Sequence, residues 1–116
     1  MGPPTITKAP QGAFLVMPAI VYILYSSKID KYYIGATSED AALRLKRHNS
    51  GYYKNKYTSA GQPWQLYLTI DVNEMQHALL IEKHIKKMKS RKYIEDLKRY
   101  PEIAQKLKKE YSATDS

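Results

Sequence analysis

The sequence predicts an α/β (α+β) domain, with a small three-stranded, mainly antiparallel sheet flanked by helices in the order ββαβααα. Three observations carry this. "AIVYILY" at 19–25 is an unbroken β-branched and aromatic run, a strand signal. "YYIGA" follows after the polar connector "SSKIDK", so the two read as a hairpin. From residue 38 onward helix caps and helical periodicity prevail, interrupted once by the strand-like "PWQLYLTIDV".

The elements follow in order. After the hairpin, Ser38 is a plausible N-cap, with Glu39 and Asp40 in the first turn, where the helix dipole favours acids. That helix runs to about Asn49, and Gly51 ends it. Residues 50–62 read as a Tyr/Lys/Gly loop. The third strand alternates, with Trp64, Leu66, Leu68 and Ile70 on one side. Asn73 then caps a long helix to about Met88. Ser90 caps another through Arg99, and Pro101 opens a last one to about Tyr111. The organisation is therefore a tail over 1–18, a compact domain over 19–97, a basic C-terminal helix over 98–111 and a frayed end over 112–116. The first segment is rich in Pro, Gly and Thr and reads as flexible; Met17 is a candidate native start.

Composition narrows the classes. A chain of 116 residues suits one compact domain. It has no cysteine, which excludes disulfides and thiolate zinc sites and fits a cytoplasmic interior. No apolar run approaches the roughly 20 residues that span a bilayer, and no secretory h-region is present. No Walker loop, GxGxxG or HExxH spacing appears, although His77 and His84 share the long helix.

Charge is unevenly spread. The net charge is +8, and residues 83–109 hold all of it, with eleven Lys/Arg against three Asp/Glu. A second run, Arg44 to Lys56, has five basic residues and no acid. Two basic segments on a small domain point to a polyanion, nucleic acid first. Lys46, Arg47, Lys54, Lys56, Lys86, Lys89, Arg91 and Lys92 are the expected backbone contacts. The bland alternative is a solvated lysine-rich helix face.

Two polar features stand out on the helices, Glu82 and the pair Arg44 and His48. Met75, Ala78, Ile81, Ile85 and Met88 fall in one apolar arc of the long helix, and Glu82 lies inside it. A carboxylate facing a core is costly unless paired or bound to a cation. It is either an edge-of-core glutamate salt-bridged to a Lys or Arg, or a metal or catalytic ligand. Arg44 and His48, four residues apart, share one face of the first helix. They read as a phosphate-binding pair or as a solvated pair.

Taken together, these residues resemble the GIY-YIG nuclease superfamily. Ile20-Val21-Tyr22 stands for Gly-Ile-Tyr, and Tyr33-Ile34-Gly35 is a full Tyr-Ile-Gly match. Arg44 and His48 follow in the first helix and Glu82 in the later one. The segment "RLKRHNSG...YTSAGQPWQLY" is similar to the small stand-alone bacterial predicted endonucleases, related to the N-terminal nuclease domain of the excision-repair incision protein. The match covers roughly residues 19–97. Ile20 departs from the motif's first Gly, a change the stand-alone subfamily tolerates.

The resemblance implies a metal-dependent DNA endonuclease, with repair among its possible roles, acting as a monomer or weak dimer in the bacterial cytoplasm. It implies Glu82 as ligand to a single Mg²⁺ or Mn²⁺, and Arg44 as a clamp on the phosphate. It implies Tyr22 as general base, Tyr33 as a positioning group or sharer of that role, and His48 as proton relay, phosphate contact or competing base. Tyrosine ordinarily holds its proton up to a pH near 10, so nearby positive charge is expected to loosen it at Tyr22. Gly35 is expected to allow a close approach of backbone or phosphate. Tyr25 and Tyr32 are expected to be packing or surface residues. Two alternatives remain: a catalytically silent nucleic-acid-binding module on the same fold, and a basic protein-interaction module.

Overall fold

The computed structural model describes residues 18–113. The expected tail over 1–18 lies outside them, Pro18 apart, as do residues 114–116. Three strands, β1 (Ala19–Ser26), β2 (Lys31–Thr37) and β3 (Gln65–Val72), form one antiparallel sheet in the order β2-β1-β3. Five helices accompany it: α1 (Ala41–Asn49), α2 (Lys56–Ala60), α3 (Met75–Met88), α4 (Arg91–Arg99) and α5 (Pro101–Ala113). The fold class and the order of the expected elements are as the sequence predicts; α2 is additional.

The central place of β1 explains its continuous apolar run, because both of its faces are covered. Val21 and Ile23 face one core with Ile70, Ala78, Ile81, Ile85, Ile94 and Leu97. Tyr22 and Leu24 face the other, smaller cluster with Ala41 and Trp64. The first core is purely apolar packing, worth roughly 1.5–3 kcal/mol for each large aliphatic side chain buried. The second is built around a tyrosine, and the candidate residues Tyr33, Arg44 and His48 gather around it.

Local chemistry moves several boundaries. The α1 cap is Asp40, whose carboxylate accepts from Ala42 N, rather than Ser38. Strand β2 persists to Thr37, whose hydroxyl accepts from Glu39 N at 2.9 Å, so this turn delays the helix. Glu39 and Asp40 therefore precede the helix and are not in its first turn. The loop over 50–62 contains α2, capped by Asn55, whose side chain accepts from Thr58 N. Asn73 does not cap α3; the N-cap position is Glu74, which makes no side-chain cap bond. Met88 leaves the apolar arc and is exposed. Trp64 and Ile70 fall in different clusters, because the β1–β3 register shifts between Ile23 and Leu24 and breaks the alternation. Ser90 and Pro101 begin α4 and α5 as expected, and α5 runs two residues past Tyr111 to Ala113.

Candidate active site

Tyr22 sits mid-strand in β1, directly across from Gly35 of β2. A Cβ placed on Gly35 would lie 2.5 Å from both Cζ and Oη of Tyr22. No side chain fits there, so the glycine lets the fully buried Tyr22 ring lie over the neighbouring strand. The close approach is thus made by an aromatic ring, where the sequence led us to expect backbone or phosphate. Tyr33, paired with Leu24, shares the face of Gly35, and its ring centroid is 6.2 Å from that of Tyr22. Tyr32 turns the other way, against the apolar core, and Tyr25 packs on it at 5.0 Å between centroids.

Helix α1 brings the next two groups. His48, in its last turn, is 1% exposed, and its Nε2 lies 3.2 Å from the Tyr22 hydroxyl. Tyr33 and Tyr53 enclose its ring at 4.4 and 4.5 Å between centroids. Burial, with the Arg44 charge second, lowers its pKa from 6.5 to about 4, so the imidazole is neutral at physiological pH. With the proton on Nδ1, Nε2 accepts from Tyr22; that Nδ1 is buried without a partner. The solvated-pair reading fails for His48.

Arg44 lies one turn earlier. Its guanidinium carbon is 5.6 Å from the Tyr22 ring centroid and 5.4 Å from that of Tyr53. Its nearest carboxylate, Glu39, is 3.9 Å away, and its Nε is buried without a partner. A cation held by aromatic faces with donor capacity unspent suits an incoming anion.

The Tyr22 hydroxyl holds its proton well above the ordinary tyrosine range. Burial is the main cause; Arg44 opposes it, while Tyr33, Tyr53 and Glu82 add to it. The expected loosening by Arg44 is therefore present but outweighed.

Glu82 projects from α3, and its charge reaches Tyr22, so β1, α1 and α3 converge. Its side chain is 17% exposed, and its Oε2 pairs with Lys86 Nζ at 2.7 Å, one turn on. The edge-of-core salt bridge is therefore formed. Lys86 is itself half-exposed, so the partner is exchangeable. Among the described residues, no group of three or more His, Asp or Glu is arranged to cage a metal ion. One mostly covered carboxylate instead fits a hard, largely hydrated divalent cation.

Three aromatic walls of the site were not expected there from sequence: Tyr53, Tyr57 and Trp64, the last read only as a strand residue. Asn49 clamps Trp64, accepting from its N at 2.6 Å and donating to its O at 2.9 Å. Trp64 Nε1 donates to Thr58 O, and Gly61 lies so close beneath the indole that a Cβ would meet Cζ2 at 2.2 Å. The clustering of aromatics in a polar loop was the available signal.

The GIY-YIG catalytic domain model matches residues 18–94. The chain belongs to the GIY-YIG family. No curated protein and no solved structure matches it. GIY-YIG domains are nuclease domains that bind nucleic acid, and the matched span contains every element that meets at Tyr22. Of the expected backbone contacts, Lys46, Lys54, Lys56 and Lys89 are exposed. Arg47 pairs with Glu39, Lys86 with Glu82, Arg91 with Asp30 and Glu95, and Lys92 with Asp96. Such surface pairs are weak and exchange readily for phosphate. No helix of the described residues is long and apolar enough to cross a membrane.

Proposed function

We propose that this GIY-YIG protein is an endonuclease that hydrolyses phosphodiester bonds in DNA with the help of Mg²⁺ or Mn²⁺. The contact of the Tyr22 hydroxyl with His48 Nε2, under the Arg44 guanidinium, carries the reading.

A tyrosine that holds its proton so firmly is a poor base by prior ionisation. It needs no ionisation if it exchanges protons. The phenolic oxygen takes a proton from the attacking water while its own proton passes to His48 Nε2. The water oxygen bonds to phosphorus, and the bond to the 3′ oxygen breaks. His48 is neutral and ready to accept, although burial and Arg44 make it a reluctant base. A phosphate bound at Arg44 offsets that charge and makes transfer easier. Arg44 holds a non-bridging oxygen as charge develops, and Tyr33 orients water or phosphate. Glu82 would hold the divalent cation, which supplies charge neutralisation at the phosphate and the leaving oxygen.

Plasmid nicking by wild type and Glu82→Ala in Mg²⁺ and Mn²⁺ tests the reading. Nicking by the wild type alone is expected; equal cleavage by both sinks it.

A further inference from the structure

A concavity of about 340 Å³ opens beside the cluster around Tyr22. It lies against β2, an edge strand. Ile34, Ile85 and Ile94 supply apolar lining, Tyr57 an aromatic one, and Lys86 and Lys89 positive charge. The Tyr57 hydroxyl donates to Tyr32 O at 2.6 Å, which fixes the ring and satisfies a carbonyl of the edge strand. Two residues join this cavity to that cluster. The Tyr57 ring is 6.4 Å from that of Tyr33, and Lys86 is the partner of Glu82.

The backbone gives an independent observation. Among the described residues, Asp30 (φ 55°) and Lys89 (φ 48°) are the non-glycine residues in the left-handed region, and both line this cavity. Glycine adopts that conformation at little cost, and it is the usual residue after a helix end such as that of α3. Side chains are kept here despite the conformational cost. The Asp30 carboxylate holds the Arg91 guanidinium, which lies 5.2 Å from the Tyr32 ring centroid and shapes the rim. Lys89 makes no ion pair among the described residues, so its charge is available.

Apolar lining with a fixed aromatic ring suits a nucleobase, and an unpaired lysine suits its phosphate. A base stacked within a duplex cannot enter such a cavity; it must first leave the stack. We infer that this cavity receives one unstacked nucleotide of the substrate strand beside the scissile phosphate. The protein then prefers a strand with an unpaired nucleotide to an uninterrupted duplex. This rests on the endonuclease reading and names its substrate class.

The test uses the full chain without divalent cation and two DNA hairpins of equal length, one fully paired and one with a single bulged nucleotide. The bulged hairpin is expected to bind at least about tenfold tighter. Tyr57→Leu and Lys89→Gly are each expected to cut that preference to about threefold or less. Lys89→Gly relaxes the turn, so its melting temperature should hold or rise, which separates lost binding from lost folding. Equal affinity for both hairpins, or an intact preference in both variants, overturns the subsite. Cleavage with Mg²⁺ is read separately. Cleavage indifferent to the bulge overturns the subsite and leaves the endonuclease standing. Bulge-selective binding with no cleavage of either hairpin supports the subsite and sinks the endonuclease.

Discussion

The Tyr22 ring occupies the space that a side chain on Gly35 would need: a Cβ there would sit 2.5 Å from the tyrosine Cζ. The last residue of the Tyr-Ile-Gly triplet thus makes room for Tyr22 of the strand beside it, the tyrosine to which we assign the chemistry. Gly35→Ala must either displace the ring or strain the sheet. Overpacking of this kind costs about 1–3 kcal/mol. Displacement separates the hydroxyl from His48 and would remove the proposed proton path. We expect nicking to fall at least about a hundredfold, the scale of positioned acid–base chemistry. Circular dichroism should stay native. Wild-type nicking in a folded Gly35→Ala protein would show that the ring position is not needed.

Tyr22→Phe keeps the ring and deletes the hydroxyl. Cleavage should drop by about 10²–10⁴-fold, while DNA binding measured without cation stays within about threefold. His48→Leu removes the acceptor at 3.2 Å and should produce a comparable loss. The double variant should be little worse than either single one, because both interrupt one path. Additive losses would assign the two residues separate tasks, and near-normal turnover in Tyr22→Phe would move the base role to His48 or Tyr33.

How much of this was legible in the sequence depended on range. β1 could be read because a central strand is apolar on both faces. The helical phase that put Glu82 in an apolar arc found a carboxylate that is mostly covered. The α1 start was misplaced because a threonine side chain captures the turn before Asp40. The Trp64 position was misplaced because a register shift in β3 leaves no local mark. The Asn49–Trp64 clamp joins residues fifteen apart through a loop whose helix has only five residues, too short to announce itself by periodicity. The proton affinities of Tyr22 and His48 were out of reach, because burial sets them and burial is a property of the whole fold.

Lys86 holds Glu82 at 2.7 Å, so on the proposed mechanism it would compete with the cation for that carboxylate. Lys86→Ala frees that carboxylate and should lower the half-saturating Mg²⁺ or Mn²⁺ concentration for nicking by roughly 2–5-fold, in line with a surface pair worth under about 1 kcal/mol. Glu82→Ala should abolish nicking at every cation concentration. An unchanged half-saturation in Lys86→Ala would mean that the cation does not draw on Glu82.

Phosphate neutralisation by the exposed lysines separates nucleic-acid binding from protein docking. The logarithm of DNA affinity should fall linearly with the logarithm of salt, with a slope of about −0.9 per phosphate contacted. Lys54→Ala and Lys56→Ala should each reduce the slope by about one unit if each contacts a phosphate. A slope near zero in the wild type would favour the protein-interaction module.

The buried His48 makes stability depend on pH with a definite sign. Its pKa is about 4 in the fold and near 6.5 in the unfolded chain, because burial and then the Arg44 charge disfavour its cation. Between those values the unfolded chain binds a proton that the native protein refuses. The stabilising effect is therefore complete above about pH 6.5 and is lost as pH falls toward 4. The slope in that window approaches about 1.4 kcal/mol per pH unit at most. Melting temperature measured from pH 8 to 4 should decline along this limb, and His48→Leu should flatten it. Nicking of the wild type should show no His48 protonation step near pH 6.5. A step at that pH, absent in His48→Leu, would mean that the imidazole is solvated and that its contact with Tyr22 is not the resting arrangement.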